Sequence, residues 1–351
     1  MTHALDKWFA SYLCQVLRRR VGRREQGPLR LYVALADHFE PFRGSRDLEA
    51  ARRRLRPWEE HLPRLCSELA DAAGRPPQHT FFYPQDEYHP EILDRLAALC
   101  ERGVGEVEIH LHHEGESSAE LEDKLASFAE LLHRRHGLLR RDPLSGQVVY
   151  GFVHGNWALD NSLPGGRHCG VNDELRILAR TGCYADFTLP SAPSPAQTRT
   201  INSIYYASDD PDRPKSHDRG RPVRRGGEPW GDLLLVQGVL ALNWRRRKAG
   251  WLPRLENSDL GAHRPPWPER LPLWLRYAPR VEGVEGVRFL KLSCHGAPRR
   301  HFEVLLGRTA RRFYRRLLRG GFGDTPVEVR FVTCWEMVQV IHALERGEDA
   351  P

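Results

Sequence analysis

The segment GEVEIHLHHEG, residues 105–115, places three histidines within four positions at the end of an apolar stretch that is typical of a buried strand. Along a strand, His110 and His112 point to one side and His113 to the other. Neutral imidazoles together with a carboxylate are the ligands that zinc and related divalent ions take in catalytic sites, where one position stays open for water. One histidine would more simply be a core or surface residue, but two on one strand face, beside acidic residues, predict a divalent metal site, most simply zinc.

Other strand ends must supply the remaining ligands. Asp37 and His38 follow the apolar run of residues 29–36, and neighbouring residues there can divide two tasks, holding the ion and acting on its water. Glu116 lies four residues after His112, so a helical turn could return it to the same ion. Glu116 could equally be an acid at a helix N-terminus, where the helix dipole favours it. Both interpretations of Glu116 stay open.

Strand and helix patterns alternate along the chain, which is typical of parallel βαβ units. Six or seven strands with helices between them and no internal repeat predict an α/β fold, a parallel (β/α) barrel. The polar residues that follow the apolar runs support this arrangement, since the carboxyl ends of barrel strands form the active face. They are Asp37 and His38, His110 to Glu116, His154 to Asp160, Asp186, and His295.

The predicted domain organisation is an N-terminal basic amphipathic helix in residues 1–26, followed by a single barrel domain in residues 27–345. The helix either packs on the domain or makes peripheral contact with an anionic membrane surface. The stretch of about 209–231 is rich in Pro, Gly and Arg, and is predicted to be a long functional loop rather than a domain boundary. His217 and Asp218 in that loop are further candidates for the site.

Composition argues against several classes of protein. The net charge is +7, yet only five of the 53 basic residues are lysines, which indicates an arginine bias rather than a phosphate-binding face. Without a basic groove interleaved with aromatic residues, nucleic acid is not an expected partner. The seven cysteines contain no C-x-x-C pair, which favours a reducing compartment over a disulfide framework. With neither a secretion signal nor a transmembrane stretch in the sequence, we expect a cytoplasmic protein, with association at a membrane surface as an alternative.

The segment HTFFYPQDEYHPEILDRLAALCERGVGEVEIHLHHEGE, residues 79–116, resembles the central part of the polysaccharide deacetylases, the NodB-like carbohydrate esterases. LADHFEP, residues 35–41, stands in the place of their Asp-Asp motif. The resemblance covers residues 30–120 and extends only loosely to the later strands. It implies a distorted (β/α)7 barrel, a divalent metal that is usually zinc, and hydrolysis of acetyl groups on a glycan.

Residue by residue, the resemblance implies that Asp37 is the catalytic base and that His38 and His112 are metal ligands. Glu116 stands where the family has its second metal histidine, and Ser293 stands where it has a general acid, so His295, two residues on, is expected to take that role. Asp186 corresponds to the aspartate that supports a catalytic side chain. VHGNWALDN, residues 153–161, replaces an Arg-Pro motif of the groove wall and supplies the expected substrate contacts, His154, Asn156, Trp157 and Asp160.

Three alternatives to a glycan deacetylase follow from the same residues. An amidohydrolase would carry its His-x-His pair on the first strand, whereas here the pair comes about three strands later. A glycosidase on a related seven-stranded barrel needs two carboxylates that flank the bond, for which Asp37 and Asp186 are the available pair. A glycan-binding or assembly protein could keep the barrel without turnover, because residues 38, 116 and 293 depart from the family pattern. The expected partner in every carbohydrate-active case is an acylated sugar or glycan, with a role in surface polysaccharide synthesis as an analogy.

Overall fold

A computed structural model describes residues 4–21, 27–320 and 326–350 of the chain. The described helices are α1 (Leu5–Val21), α2 (Leu48–Ser67), α3 (Pro90–Leu99), α4 (Ser118–His136), α5 (Glu174–Arg180), α6 (Leu271–Tyr277), α7 (Phe302–Leu305), α8 (Arg308–Leu318) and α9 (Cys334–Glu345). Side-chain caps fix several helix starts. Asp47 accepts backbone N–H groups of the first turn of α2, and Ser117 and Glu120 form a reciprocal capping box on α4.

Most of the strands belong to one large sheet, and helices connect many of its strands along the chain. The described strands are β1 (Leu29–His38), β2 (His79–Pro84), β3 (Gly105–Leu111), β4 (Arg140–Arg141), β5 (Val148–His154), β6 (Cys183–Asp186), β7 (Ile204–Ala207), β8 (Arg221–Pro222), β9 (Leu233–Val236), β10 (Ala241–Lys248), β11 (Leu252–Glu256), β12 (Asp259–Leu260), β13 (Val287–Cys294) and β14 (Val327–Phe331).

The sheet is mainly parallel, as predicted. Its order is β12-β13-β1-β2-β3-β5-β6-β9-β7-β8, and the pairs from β12 to β9 are parallel. β14 adds to the first half of β1, and β2 pairs with its last three residues. A closed barrel is not formed by the described strands. The reason is that β7 joins β9 antiparallel and β8 joins β7 antiparallel, so the parallel run ends there and the two ends of the sheet do not pair.

The sheet separates two apolar cores. The outer core lies between the sheet and the surrounding helices and includes Leu55 of α2, Leu93 of α3 and Leu125 of α4. The inner core lies on the other face, where Met337 and Ile341 of α9 pack against the sheet. Because the side chains of a strand alternate between the two faces of the sheet, each polar residue at a strand end points towards either the outer or the inner core.

Helix α1 is the structural counterpart of the predicted N-terminal helix. Helix α1 buries Trp8 and Tyr12, and the Tyr12 ring lies 5.5 Å from that of Tyr277. Its other side exposes Phe9, Leu13 and Leu17, so contact with a membrane surface stays a prediction, and residues 22–26 of the expected basic helix lie outside the described residues. None of the described helices combines the length and apolar character needed to cross a membrane.

The stretch of about 209–231, predicted as a long loop, contains short regular elements. A 3-10 turn spans Ser216–Asp218, and β8 pairs with β7. His217 is buried in this stretch and lies 3.8 Å from a carboxylate oxygen of Asp160. These contacts hold the segment against the edge of the sheet.

Candidate metal centre and cavity

The alternation of β1 determines which of its terminal residues face which core. Leu31, Val33 and Leu35 belong to the outer core, whereas Tyr32, Ala34 and Ala36 belong to the inner core. Continuing this period of two, Asp37 falls on the outer side, and His38 and Glu40 fall on the inner side. On β3 the same rule leaves Ile109 and Leu111 in the outer core and turns His110 and His112 inwards.

Glu40, His110 and His112 therefore meet on the inner side, and we call this group the inner site. The Oε1 atom of Glu40 lies 3.2 Å from Nε2 of His112 and 3.6 Å from Nε2 of His110. One ligand atom from each side chain can be chosen so that all three lie within 4.8 Å of one another. Two imidazoles and a carboxylate that converge in this way are a donor set suited to zinc or another divalent transition metal.

Hydrogen bonds to the far side of each ring orient the two histidines. Nδ1 of His110 lies 2.7 Å from the carbonyl oxygen of Val153. A carbonyl only accepts, so this nitrogen carries a proton, and in the neutral ring Nε2 presents a lone pair. That Nε2 is buried without a hydrogen-bond partner. Nδ1 of His112 lies 3.2 Å from a carboxylate oxygen of Asp86, the kind of outer contact that orients metal-binding histidines.

The charges of the inner site are complementary. Burial opposes ionisation of Glu40, but the imidazoles of His110 and His112 beside it hold the pKa of this carboxyl well below its usual range. Burial alone would lower the pKa of His112, yet the carboxylates of Asp86 and Glu40 raise it to about 9. Arg43 also donates to Glu40 across 2.6 Å. The carboxylate is thus ionised, and a metal ion bound here would displace a proton from His112.

A cavity of about 450 Å³ lies on the far side of His38 from the inner site, and Glu40, His110 and His112 do not line it. His38 and His295 line it, with their rings stacked at 4.7 Å, and His38 also lies 5.1 Å from the ring of His110. Burial lowers the pKa of His295 to about 4 and that of His38 well below its usual value. The cavity wall also includes Trp157, whose side chain is 36% exposed, and Asp259. Of the site residues predicted from the sequence, all of which lie in the described part of the chain, His38, Trp157 and His295 line this cavity.

Asp37, expected as the base, lies on the outer side of the sheet, away from the inner site. Its Oδ2 is 2.8 Å from Nε2 of His79, and its Oδ1 accepts the backbone N–H of Gly296 at 2.5 Å. Cys294 lies in the same buried group. Asp37 therefore fastens the end of β1 to β2 and to the residue that follows His295.

The other predicted residues lie away from the inner site, because their side chains point to the outer face of the sheet or belong to the loops beyond it. Glu116 lies 3.0 Å from Nδ1 of His113, not beside His112, and also pairs with Lys124. His154 faces His113. Asp186 is buried and accepts both the hydroxyl and the backbone N–H of Thr188. Asp160 is buried against Ser216, and Asn156 is exposed on the turn after β5.

Sequence reasoning missed Glu40, although a signal was present. His38 and Glu40 are two residues apart at the end of one strand, so alternation places both on the same side. Glu174, the first residue of α5, and Cys169 in the preceding loop were also missed. Acids are common at helix starts and Cys169 is one of seven scattered cysteines, so neither residue stands out in the sequence.

Comparison with known proteins gives little further information. No family model and no curated protein matches the chain, so the resemblance to the polysaccharide deacetylases stays a prediction. Among solved structures, the chain is similar to a GH57 branching enzyme from the archaeon Thermococcus kodakaraensis, solved in complex with glucose. The TM-score is 0.40 and the sequence identity 10%, over 86% of this chain and 72% of the other. A similarity at this level identifies neither a shared family nor a shared activity.

Proposed function

We propose that this protein is a metal-dependent hydrolase that removes acyl groups, acetyl first among them, from a carbohydrate or glycan precursor bound in the cavity. The observation that carries the proposal is the convergence of Glu40, His112 and buried His110, whose Nε2 has no hydrogen-bond partner, next to His38 in the cavity wall. A buried nitrogen lone pair is costly unless something binds it. A cation held by these three side chains would supply Lewis acidity towards a carbonyl group.

The chain's own residues supply orientation and proton transfer in this proposal. Glu40, His110 and His112 would hold the cation, with Asp86 and the Val153 carbonyl fixing the two rings. His38 and His295 line the cavity, where either imidazole can exchange a proton with a bound substrate. Asp37 takes a positioning role, because it binds the backbone next to His295.

A carbohydrate is the proposed substrate class because of the cavity wall. Trp157 offers a partly exposed ring, which suits the apolar face of a pyranose, and Asn257, Asp259 and Ser293 offer polar partners for hydroxyl groups. The fold is proposed to be a distorted (β/α)7 barrel, which the run of parallel strands from β13 to β9 supports. A cytoplasmic precursor, or one at a membrane surface that α1 contacts, is the proposed location of the substrate.

A glycosidase is the second candidate, favoured by Asp259. This carboxyl lines the cavity, and burial raises its pKa to about 6, as suits a general acid. The pair that the sequence suggested, Asp37 and Asp186, does not line the cavity. A glycosidase would therefore have to pair Asp259 with another carboxylate.

The test combines metal analysis with product analysis. Purified without a metal-binding tag, the protein should contain a divalent metal that Glu40→Gln and His112→Ala both reduce by about one equivalent. His61→Ala is the matched control, since His61 has a similar exposure on α2. The wild-type protein should release acetate from acetylated sugars, and both variants should lose this activity.

Three other outcomes are informative. Release of new reducing ends without acetate, abolished by Asp259→Asn, would replace the deacetylase by a glycosidase. Metal binding without hydrolysis of any acylated sugar or glycan would favour a non-catalytic binding protein. An unchanged metal content in Glu40→Gln and His112→Ala would overturn the proposed inner site.

A further inference from the structure

A second group of side chains lies on the outer side of the same sheet edge. It comprises His113 after β3, His154 at the end of β5, Cys169 in the loop that follows, and Glu174 at the start of α5, all buried. One ligand atom from each can be chosen so that all four lie within 4.8 Å of one another. We call this group the outer site; it is separate from Glu40, His110 and His112.

The atoms that face one another in the outer site are electron-pair donors. Nε2 of His113 and Nε2 of His154 are 2.9 Å apart, and Oε1 of Glu174 lies 3.1 Å and 3.3 Å from them. In a tetrahedral zinc site with bonds of about 2.1 Å, neighbouring ligand atoms are about 3.4 Å apart. The Sγ atom of Cys169 adjoins the other oxygen of Glu174 at 3.5 Å.

Each of the two rings also makes a contact through its Nδ1 atom, on the side away from the other ligands, and this contact places a proton on Nδ1. Nδ1 of His154 lies 2.5 Å from the carbonyl oxygen of Gly155, and Nδ1 of His113 lies 3.0 Å from a carboxylate oxygen of Glu116. Both partners accept, so both Nδ1 atoms carry a proton. Neutral rings then direct two lone pairs and a carboxylate oxygen at one point, which is repulsive unless a cation occupies it.

We propose that His113, His154, Cys169 and Glu174 form a second metal site, closed by four protein ligands and suited to a zinc-class ion. The charges agree, because one thiolate and one carboxylate neutralise a divalent ion, while Lys124 pairs with Glu116 outside the group. Four protein ligands leave no open position, which is typical of a structural site rather than a catalytic one.

The ion would stabilise the irregular segment between β5 and α5. Backbone φ angles are positive at Asn156, Trp157, Asp160 and Asn161, which is a strained conformation for these residues. Glu174 also accepts the backbone N–H of Asp160 across 2.5 Å. The outer site thus fixes, from both sides, the turn that places Trp157 in the cavity.

The competing arrangement is a proton in place of the metal, with His113 doubly protonated between Glu116 and Glu174. Metal stoichiometry separates the two. After reconstitution with zinc and removal of excess ion, we expect two equivalents per chain in the wild-type protein. Cobalt in the outer site should add a thiolate-to-metal charge-transfer band, which the inner site cannot give because it contains no cysteine.

The variants assign each ion to its site. Cys169→Ser should lose the charge-transfer band and about one equivalent of metal, whereas His110→Ala should lose one equivalent and keep the band. Cys66→Ser, which alters another buried thiol, should keep both the band and the two equivalents of metal.

A wild-type protein that binds one equivalent, lost in His110→Ala, and gives no thiolate band would overturn the outer site and leave the proposed function standing. A wild-type protein that binds one equivalent and gives the thiolate band, both retained in His110→Ala, would support the outer site and overturn the inner site on which the proposed function rests. Because the wild-type spectrum is decisive by itself, a Cys169→Ser protein that fails to fold leaves the test intact.

Discussion

At the scale of single residues, the orientation of His112 depends on a carboxylate that would not touch the metal. Asp86 lies 3.2 Å from Nδ1 of His112 and so determines which nitrogen faces Glu40. Removing such an outer partner typically weakens metal binding 10- to 100-fold. We therefore expect Asp86→Asn to weaken metal binding at the inner site by about that factor, as measured by competition with a chromogenic chelator.

The matched control for this change is Asp94→Asn. Asp94 on α3 makes the same kind of carboxylate–histidine contact, 2.7 Å from Nδ1 of His136 at the end of α4, and neither residue belongs to the inner site. It should leave the metal affinity unchanged. Equal affinities in Asp86→Asn and the wild-type protein would show that His112 is oriented by other contacts.

Asp37 provides a second prediction at this scale, because its position and the family resemblance assign it different roles. The buried carboxylate accepts the Gly296 N–H and pairs with His79, and loss of such bonds costs about 1–3 kcal/mol. Asp37→Asn should lower the free energy of unfolding by about that amount in urea titrations, with the inner-site metal retained. An unchanged unfolding free energy together with complete loss of turnover would instead favour the catalytic base that the resemblance implies.

At the scale of elements, the turn after β5 passes so close to the end of β3 that Gly155 has no room for a side chain. A Cβ atom there would lie 2.3 Å from Cδ2 of His112 and 2.8 Å from the Leu111 carbonyl oxygen. Gly155→Ala must therefore displace His112 or the turn, at a cost of about 1–3 kcal/mol. We expect weaker metal binding at the inner site and a lower thermal midpoint, from calorimetry with and without metal.

The comparison variant is Gly261→Ala, at a cavity-lining glycine where a Cβ atom would make an ordinary contact, 3.4 Å from the ring of His301. Its metal affinity and thermal midpoint should stay near those of the wild-type protein. If Gly155→Ala behaves like Gly261→Ala, the approach of the two strand ends is looser than the structure indicates.

The elements also show how far sequence reasoning reaches. The apolar runs predicted β1, β2, β3, β5 and β13, because each strand is buried on both faces. The segment VEVRFVTCWEM, residues 327–337, has the pattern of one strand, and this prediction is wrong at its end: residues 334–337 begin α9, since Thr333 and Glu336 form a capping box. The apolar segment DLLLVQGVLALNW, residues 232–244, likewise predicts one strand, which is wrong: it divides into β9 and β10, and among the described strands β10 pairs with β11 alone, in a separate hairpin.

The candidate site was predictable only in part, for a reason that belongs to strand geometry. His110 and His112 could be paired from the sequence because they share one strand. Their contact with Glu40 depends on two strands, β1 and β3, which β2 separates in the sheet. Likewise, Glu174 and Cys169 reach His113 through a loop without a repeating pattern, so no spacing indicates their approach.

At the scale of the whole molecule, the carboxyl edge of one sheet carries two donor groups on its two faces. The inner site offers three protein ligands, and His38 in the cavity wall lies against His110, whereas the outer site is buried with four ligands. An ion at the inner site should therefore exchange readily with solvent, while one at the outer site should leave only when the segment between β5 and α5 opens. One sheet would thus use metal for reactivity on one face and for stability on the other.

A chelation experiment on the intact protein tests this division. Brief dialysis against a chelator at neutral pH should remove about one equivalent of metal and the activity, with only a small fall in thermal midpoint, because the more weakly held ion stabilises the native state less. Removing the second equivalent should need mild denaturant, and it should lower the midpoint, since an ion present at 100 times its dissociation constant stabilises the native state by about 2.7 kcal/mol. In His110→Ala only the slow phase should remain, and in Cys169→Ser only the fast one. Loss of both ions in a single fast phase, without a change in midpoint, would contradict a structural role for the outer site.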